Sequence, residues 1–313
     1  MGRLVAVCDI VHNKAEAFGL KYHCAAYLSY QEMLENEQAD ITVVCTPNGL
    51  HAEHSIAALQ KNMHVLCEKP MALRVQDCTA MIKAALSAKK KLFIVKQNRF
   101  NEPVQAVRDA LLNDKIGDII SVQLNCFWNR GTRYYEESNW KGTLNMDGGI
   151  LFTQFSHFID LLFWFLGDVE HVKSFTKNYM HQSSTDFEDC CVALMQFKNG
   201  AIATCHFTTC AHYRNMEGSI TLFGTKGTVK IGGQYLNLLE YQQIQGFQLE
   251  ESMDTGKPND YGYYIGSMSN HDKMYHYMFT TITDDAPMPT STYDALKTVE
   301  LIHKIYEAAN SND

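Results

Sequence analysis

The chain has 313 residues, 46% of them hydrophobic and 20% charged, a globular balance rather than a disordered one. Lys+Arg 27 against Asp+Glu 35 leaves a net charge of −8, which gives no pull toward nucleic acid or an anionic membrane. No run of about 18 apolar residues and no basic–apolar leader occurs, so the sequence predicts a soluble, cytosolic protein of about two domains.

In chain order, Leu4 to Cys8 reads as a strand and Lys14 to Leu20 as a short helix. Ile41 to Cys45 is a second strand, followed by a helix over His51 to Gln60. Val65 to Cys67, a helix over Gln76 to Ala88, and Leu92 to Val95 complete the series. Continuous apolar runs mark strands covered on both faces, and the intervening helices make the sheet parallel and doubly wound. Residues 1–98 are therefore expected to form an α/β, Rossmann-like domain whose ligands sit at the strands' carboxyl ends.

Residues 99–313 change character. A helix over Val104 to Asn113 leads to a strand over Ile119 to Phe127, then an aromatic and basic stretch from Trp128 to Trp140. One apolar helix is expected from Gly149 to Leu166. Strands follow at Cys190 to Phe197, Ala201 to Phe207, Ser219 to Phe223, Thr228 to Ile231 and Tyr235 to Tyr241. This predicts an α+β domain with a large, mostly antiparallel sheet. Helices over Asp272 to Asp284 and Tyr293 to Ala309 end the chain, the last expected to pack back on the first domain.

Ten cysteines occur with no C-x-x-C spacing, and several, such as Cys45 and Cys67, lie in apolar runs. Buried, reduced thiols are expected, with no zinc knuckle. His51-x-x-His54 lacks a third ligand nearby, so no metal is expected. Thr46-Pro47-Asn48 and Glu68-Lys69-Pro70 each follow a strand. A lysine there can polarise a hydroxyl or carbonyl, or simply form a surface ion pair. Thr153, His157 and Asp160 stand at i, i+4 and i+7 and would share one helix face. A histidine at that place either moves a proton near neutral pH or is a satisfied core residue.

The order T46-P-x-x-x-H51, H64-V65, E68-K69-P70, D147-G-G149 and H157-x-x-D160 resembles the glucose–fructose oxidoreductase/inositol dehydrogenase (Gfo/Idh/MocA) family along the whole chain. Lys96-Gln97-Asn98-Arg99, Trp128-Asn-Arg130, Trp140-Lys-Gly-Thr143 and Thr153-Gln154 resemble its UDP-N-acetylglucosaminuronate 3-dehydrogenase branch. The resemblance implies hydride transfer from sugar C3 to NAD, with Lys69 and His157 as the catalytic pair and the choice of base left open. It implies cofactor contacts from Asp9, Thr46, Pro47, Asn48, His51, Glu68, Lys69, Gln97 and Trp140. Substrate contacts fall to Arg99, Arg130, Arg133, Tyr135, Thr153, Gln154 and Asp160, the arginines because a guanidinium binds a carboxylate or diphosphate bidentately. Tyr134, Tyr135 and Trp140 either stack on a sugar or base or pack under a loop. A homo-oligomer, dimer or tetramer, is also implied.

Two departures shape the expectation. Many members of the family carry Asp where this chain has Thr153, and no G-x-G occurs anywhere in the chain. Asp9 matches by position and context the acid that holds the cofactor ribose, which favours NAD over NADP. The chain is thus expected to start at the second strand of the unit, about 30 residues in, with the neighbouring strand edges exposed. Another sugar or cyclitol dehydrogenase of the family, or a binding protein with a decayed cofactor site, are the alternative readings.

Overall fold

The computed structural model describes residues 2–250, 256–288 and 290–311. Its first part runs β1 (Ala6–Cys8), α1 (His12–Tyr22), β2 (Ala25–Tyr27), α2 (Tyr30–Asn36), β3 (Ile41–Val44), α3 (His51–Gln60), β4 (His64–Cys67), α4 (Val75–Ala88) and β5 (Leu92–Ile94). All strand pairs here are parallel, but they form two sheets, β1-β2 and β3-β4-β5. Among the described residues no strand joins them, so β1 and β3 each keep one unpaired edge.

That edge position corrects two expectations. β4 and β5 are buried, yet Val43 of β3 is exposed, and Cys45 at its end is exposed rather than buried. β3 is an edge strand with β4 as its one neighbour, and solvent reaches Val43 and Cys45 there. Cys67, Cys78, Cys126, Cys191 and Cys205 are buried, and all ten thiols are free. β2 and α2 escaped the sequence reading because a three-residue strand and a seven-residue helix carry almost no periodic signal.

The second part continues with α5 (Glu102–Leu112), β6 (Ile119–Phe127), α6 (Thr132–Glu136), α7 (Ile150–Thr153), α8 (Ser156–Leu166), β7 (Val169–Lys177), β8 (Cys190–Phe197), β9 (Ile202–Thr208) and β10 (Glu217–Gly224). It closes with β11 (Gly227–Gly232), β12 (Leu238–Ile244), β13 (Pro258–Asp260), β14 (Ile265–Met268), α9 (His271–Thr283) and α10 (Thr292–Asn310). Seven strands form one sheet in the order β12-β11-β10-β6-β9-β8-β7. Only β6 and β9 pair in parallel; the other neighbours are antiparallel.

β8 alternates buried and exposed residues strictly, as a strand with one covered face must. The apolar α8 and the long α10 supply the cover: α10 packs on β7 and α8 and also reaches α4 and β5 of the first part. Edge strand β7 is rich in polar residues, which hid it from a hydrophobicity reading.

The expected single helix over Gly149 to Leu166 is interrupted. α7 ends at Thr153, and the ladder restarts where Phe158 and Ile159 donate to the Phe155 carbonyl. The Thr153 carbonyl, which a continuous helix would bond to His157, instead accepts a hydrogen bond from Lys69 Nζ. A side chain inserted into the ladder is a sufficient cause of such a break. Thr153 and His157 therefore do not share a helix face by regular spacing.

Candidate active site

The carboxyl ends of β3, β4 and β5 deliver Thr46 to His51, Glu68 to Pro70, and Lys96 to Arg99 respectively. Across from them stand Arg130 after β6, the α7–α8 break, and the β13–β14 hairpin. Glu68, Lys69, Gln97, Trp128, Arg130, Tyr134, Thr153, Gln154, His157, Asn259, Tyr261, Tyr264, Ser267 and His271 line one cleft between the two parts.

Lys69 is half-buried, and desolvation draws its ammonium down to about 8, against the opposing charges of Glu68 and Asp147. Glu68 would be pushed up by burial, but His271 and Lys69 hold it below the usual carboxylate range. Its Oε1 lies 3.1 Å from His271 Nε2, and this hydrogen bond raises the imidazole's pKa. His157 is 4% exposed, and burial followed by the Lys69 charge drives its pKa well below the ordinary value, so the ring is neutral. Gln97 Nε2 stands 3.3 Å from His157 Nε2, and Gln97 Oε1 is buried with no hydrogen-bond partner.

Arg130 is 1% exposed, yet no carboxylate of the described residues lies within ion-pair reach of it. Its Nε donates to Gln154 Oε1 at 2.8 Å and its Nη1 to the Asn129 carbonyl at 2.6 Å. Trp128, Tyr134 and Tyr264 surround the guanidinium, with centroids at 5.1, 5.4 and 4.9 Å. Nη2 makes no hydrogen bond to the described residues. A buried cation with a free N–H edge in a cleft is a built site for an anion.

Other expected site residues stand elsewhere. Arg99 and Asp160 do not line the cleft. Arg99 Nε bonds Asp160 Oδ2 at 2.7 Å, its Nη1 bonds Asp294 Oδ2 at 2.7 Å, and Lys96 Nζ lies 2.8 Å from Asp160 Oδ1. Burial would raise the Asp160 carboxyl, but Arg99 and Lys96 outweigh it and hold it far below the carboxylate range. This closed, buried network joins the β5 exit to α8 and α10 and leaves neither Arg99 nor Asp160 a free edge for substrate.

Arg133 is exposed and pairs with Glu137 one turn on; Tyr135 is buried against His181 and Phe187. Trp140 is half-buried outside the cleft, its carbonyl accepting from Thr143. Asn48 donates from Nδ2 to the Asp147 carbonyl and to Thr153 Oγ1, each at 2.9 Å, and so ties β3's exit to the second part. His51 bridges two backbone carbonyls, Pro70 O at 2.7 Å and Thr46 O at 2.9 Å. Its ring fastens the two motif loops together rather than facing the cleft. Asp9 sits at the carboxyl end of β1, its Oδ1 accepting from Val11 N–H at 2.8 Å. Pro47 precedes the short turn Asn48–Leu50.

Sequence reasoning missed the hairpin's contribution. Tyr261 and Tyr264 stack with centroids 4.7 Å apart and planes at 10°, and the Tyr261 ring is 54% exposed. The run Tyr261-Gly-Tyr-Tyr264 was the available signal. His271 carried no signal of its own beyond residue type, and Asp147 entered only as part of the D147-G-G149 motif, without a role.

A nicotinamide dinucleotide fits this edge. Three strand ends, those of β3, β4 and β5, carry the motif loops at this edge, as the crevice rule requires, and the orphaned Gln97 oxygen offers an acceptor for an amide or hydroxyl donor.

Comparison with known proteins agrees with the geometry. Residues 2–96 match the family described as "Oxidoreductase family, NAD-binding Rossmann fold", and residues 104–230 match the GFO/IDH/MocA C-terminal domain. The WlbA dehydrogenase of Bordetella pertussis, solved with NADH and UDP-GlcNAcA, is 32% identical with a TM-score of 0.88, covering 99% of this chain and 89% of that one. The WlbA of Chromobacterium violaceum, solved with the same pair, is 33% identical with a TM-score of 0.90, covering 99% and 87%. The chain spans about 60% of the length of curated relatives such as the 2,7-anhydro-N-acetylneuraminate hydratase of Escherichia coli (strain K12). That relative is 28% identical over 230 residues, which make up 72% of this chain and 60% of the relative. By fold, by motif order and by these matches, the chain belongs to the GFO/IDH/MocA oxidoreductase family, with its NAD-binding Rossmann part first.

Proposed function

We propose that this protein is an NAD-dependent sugar dehydrogenase, and that its substrate is a UDP-linked N-acetylamino-sugar uronate oxidised at C3. The observation that carries the reading is the placement of Arg130, a buried cation without a countercharge among the described residues, in the same cleft as Lys69, Gln97 and His157. A uronate carboxylate supplies the missing charge at its free Nη2 edge. Tyr261 offers an exposed aromatic face at the mouth of the cleft for the nucleotide-bearing end. The two WlbA structures, each holding NADH and UDP-GlcNAcA, support the same substrate class.

NAD, when bound, supplies the hydride acceptor. Asp9, the Thr46 to Asn48 loop, Glu68 and Gln97 are the residues placed to hold it. Lys69, drawn down to about 8, is neutral in a usable fraction near neutral pH and takes the hydroxyl proton on Nζ. His157, neutral and held beside Gln97, faces the same space as a hydrogen-bonding partner for the reacting oxygen. The remaining members of the catalytic and binding sets, Gln154 and Thr153, orient Arg130 and Lys69 respectively.

An NADH titration of the 313-residue chain, followed by energy transfer from its tryptophans, tests the first half of the proposal. Saturable binding in the micromolar range is expected. Initial rates of NADH formation with UDP-GlcNAcA, myo-inositol and glucose 6-phosphate test the second half. A preference for the uronate supports the reading; faster turnover of inositol or glucose 6-phosphate assigns another dehydrogenase of the family. Binding of NADH without turnover of any sugar assigns a non-catalytic role.

We also propose that the chain self-associates through the open face of its large sheet. Phe175, Val192, Leu194 and Ile202 on β7, β8 and β9 are all exposed there, an apolar patch that a second copy would cover.

A further inference from the structure

Beneath Lys69 lies a carboxyl group that the reaction as described above does not use. Asp147, in the loop before α7, is 1% exposed. Its Oδ2 accepts from the Gly142 N–H at 2.8 Å, and its Oδ1 accepts from the Thr153 hydroxyl. Asn48 Nδ2 fixes the same two residues from the β3 side, reaching the Asp147 carbonyl and Thr153 Oγ1 at 2.9 Å each. The Thr153 carbonyl in turn receives Lys69 Nζ. A continuous path of hydrogen bonds thus runs from a buried carboxyl, through one threonine, to the lysine ammonium.

We infer that Asp147 is the positioning residue for Lys69: it fixes Thr153 so that the carbonyl cradles Nζ, and it supplies the countercharge that sets how readily Lys69 gives and takes a proton. The inference rests on the reading of Lys69 as the group that moves the proton. Thr153 offers a hydroxyl, and the carboxyl reaches it from six residues upstream.

The charges around the pair favour this assignment. Lys69 is faced by Glu68 from the end of β4, by Arg130 after β6, by Lys96 after β5 and by His157 on α8. Glu68 is itself engaged by His271 of α9. Arg130 and Lys96 oppose the ammonium, so the two carboxylates must offset them, and Asp147 is the one whose position depends on Thr153. Around Asp147 the cations are Lys69 and Lys141. Burial pushes the Asp147 carboxyl up to about 7, so its charge changes in the same range in which Lys69 works.

The test reads the lysine directly and needs no substrate. The folded chain is labelled competitively with acetic anhydride across pH 6 to 11, and acetylation of the Lys69 peptide is followed by mass spectrometry. Removing the countercharge in Asp147→Asn should move the Lys69 midpoint to lower pH by roughly half a unit or more. Thr153→Val, which keeps the carboxyl but removes its hydroxyl donor, should move it the same way by less. A midpoint unchanged in both variants overturns the inference. If D147N fails to fold, T153V decides alone: an unmoved midpoint overturns it. Where turnover is measurable, the acid limb of kcat/KM should follow the labelling midpoint. A purely structural role would lower kcat at every pH without moving that limb. Loss of the dehydrogenase reading shows separately, as absent turnover with the labelling shift intact.

Discussion

Lys69 shows how much a single residue's chemistry owes to its surroundings. Its ammonium is drawn down by desolvation, and the direction of that shift fixes the pH dependence of the proposed reaction. Sugar oxidation needs the neutral amine, so kcat/KM should rise with pH and level off above about 8. Lys69→Ala should lower turnover at least about a hundredfold, the usual cost of losing a general base; turnover near wild type would remove Lys69 from the mechanism. Arg130 is a second residue with a sharp expectation. Arg130→Met keeps the bulk among Trp128, Tyr134 and Tyr264 but removes the charge. KM for a uronate should rise by roughly tenfold or more, with little change for a neutral sugar, if a charge-assisted hydrogen bond contributes about 1.5–3 kcal/mol. Equal losses on both substrates would place the anion elsewhere. Lys69, Gln97, Arg130 and His157 were all legible in the sequence. Arg99 and Asp160 read the same way, but the structure closes them on each other. Residue type is visible in a sequence; the partner that neutralises it is not.

At the scale of elements, the Arg99–Asp160–Lys96 network and the α7–α8 break decide how the cleft is held. Asp160 joins the β5 exit to α8 and, through Arg99 and Asp294, to α10. Asp160→Asn leaves two buried cations short of their partner and should cost about 3–5 kcal/mol in urea unfolding. A loss under 1 kcal/mol would mean the network contributes little. The pH sign follows from the depressed Asp160 pKa. Its contribution is complete above the unfolded carboxylate value of about 4 and is lost as pH falls from there through the depressed native value, so wild-type stability should fall more steeply with acid than the variant's, and the gap between the two should narrow below about pH 4. Gly149 at the start of α7 has a φ of +117°, and a Cβ there would overlap the Tyr306 hydroxyl. Gly149→Ala should therefore destabilise by roughly 1–3 kcal/mol and loosen the turn that carries Thr153 to Lys69. Periodicity located α8 well and missed the break before it, because the cause of the break is a lysine 84 residues away in sequence.

Across the whole molecule, the two parts meet at loops rather than at a shared sheet. Asn48 and Lys69 reach across from the first part, and α10 returns to it from the second. The large sheet covers one face with α8 and α10 and leaves the other open, with Phe175, Val192, Leu194 and Ile202 exposed on it. If that face is a self-association surface, light scattering should find a dimer or larger species. Val192→Lys together with Leu194→Lys should then yield a folded monomer. A monomeric wild-type chain would exclude the proposal outright. Among the described residues, no helix is long and apolar enough to cross a membrane.

By itself the sequence determined the two-part architecture, the family and the identity of the motif loops, because these follow from local periodicity and from residue types at fixed spacing. Turns and strands of β4, β5, β6 and β8 could be read that way to within a residue or two. Tertiary structure alone decided which charges face the cleft and which neutralise one another, that β3 is an edge, that the β13–β14 hairpin brings Tyr261 to the mouth, and that Asp147 lies beneath Lys69. Each of those depends on contacts between residues far apart in the chain, where burial and partner geometry set the energy and no local pattern records them.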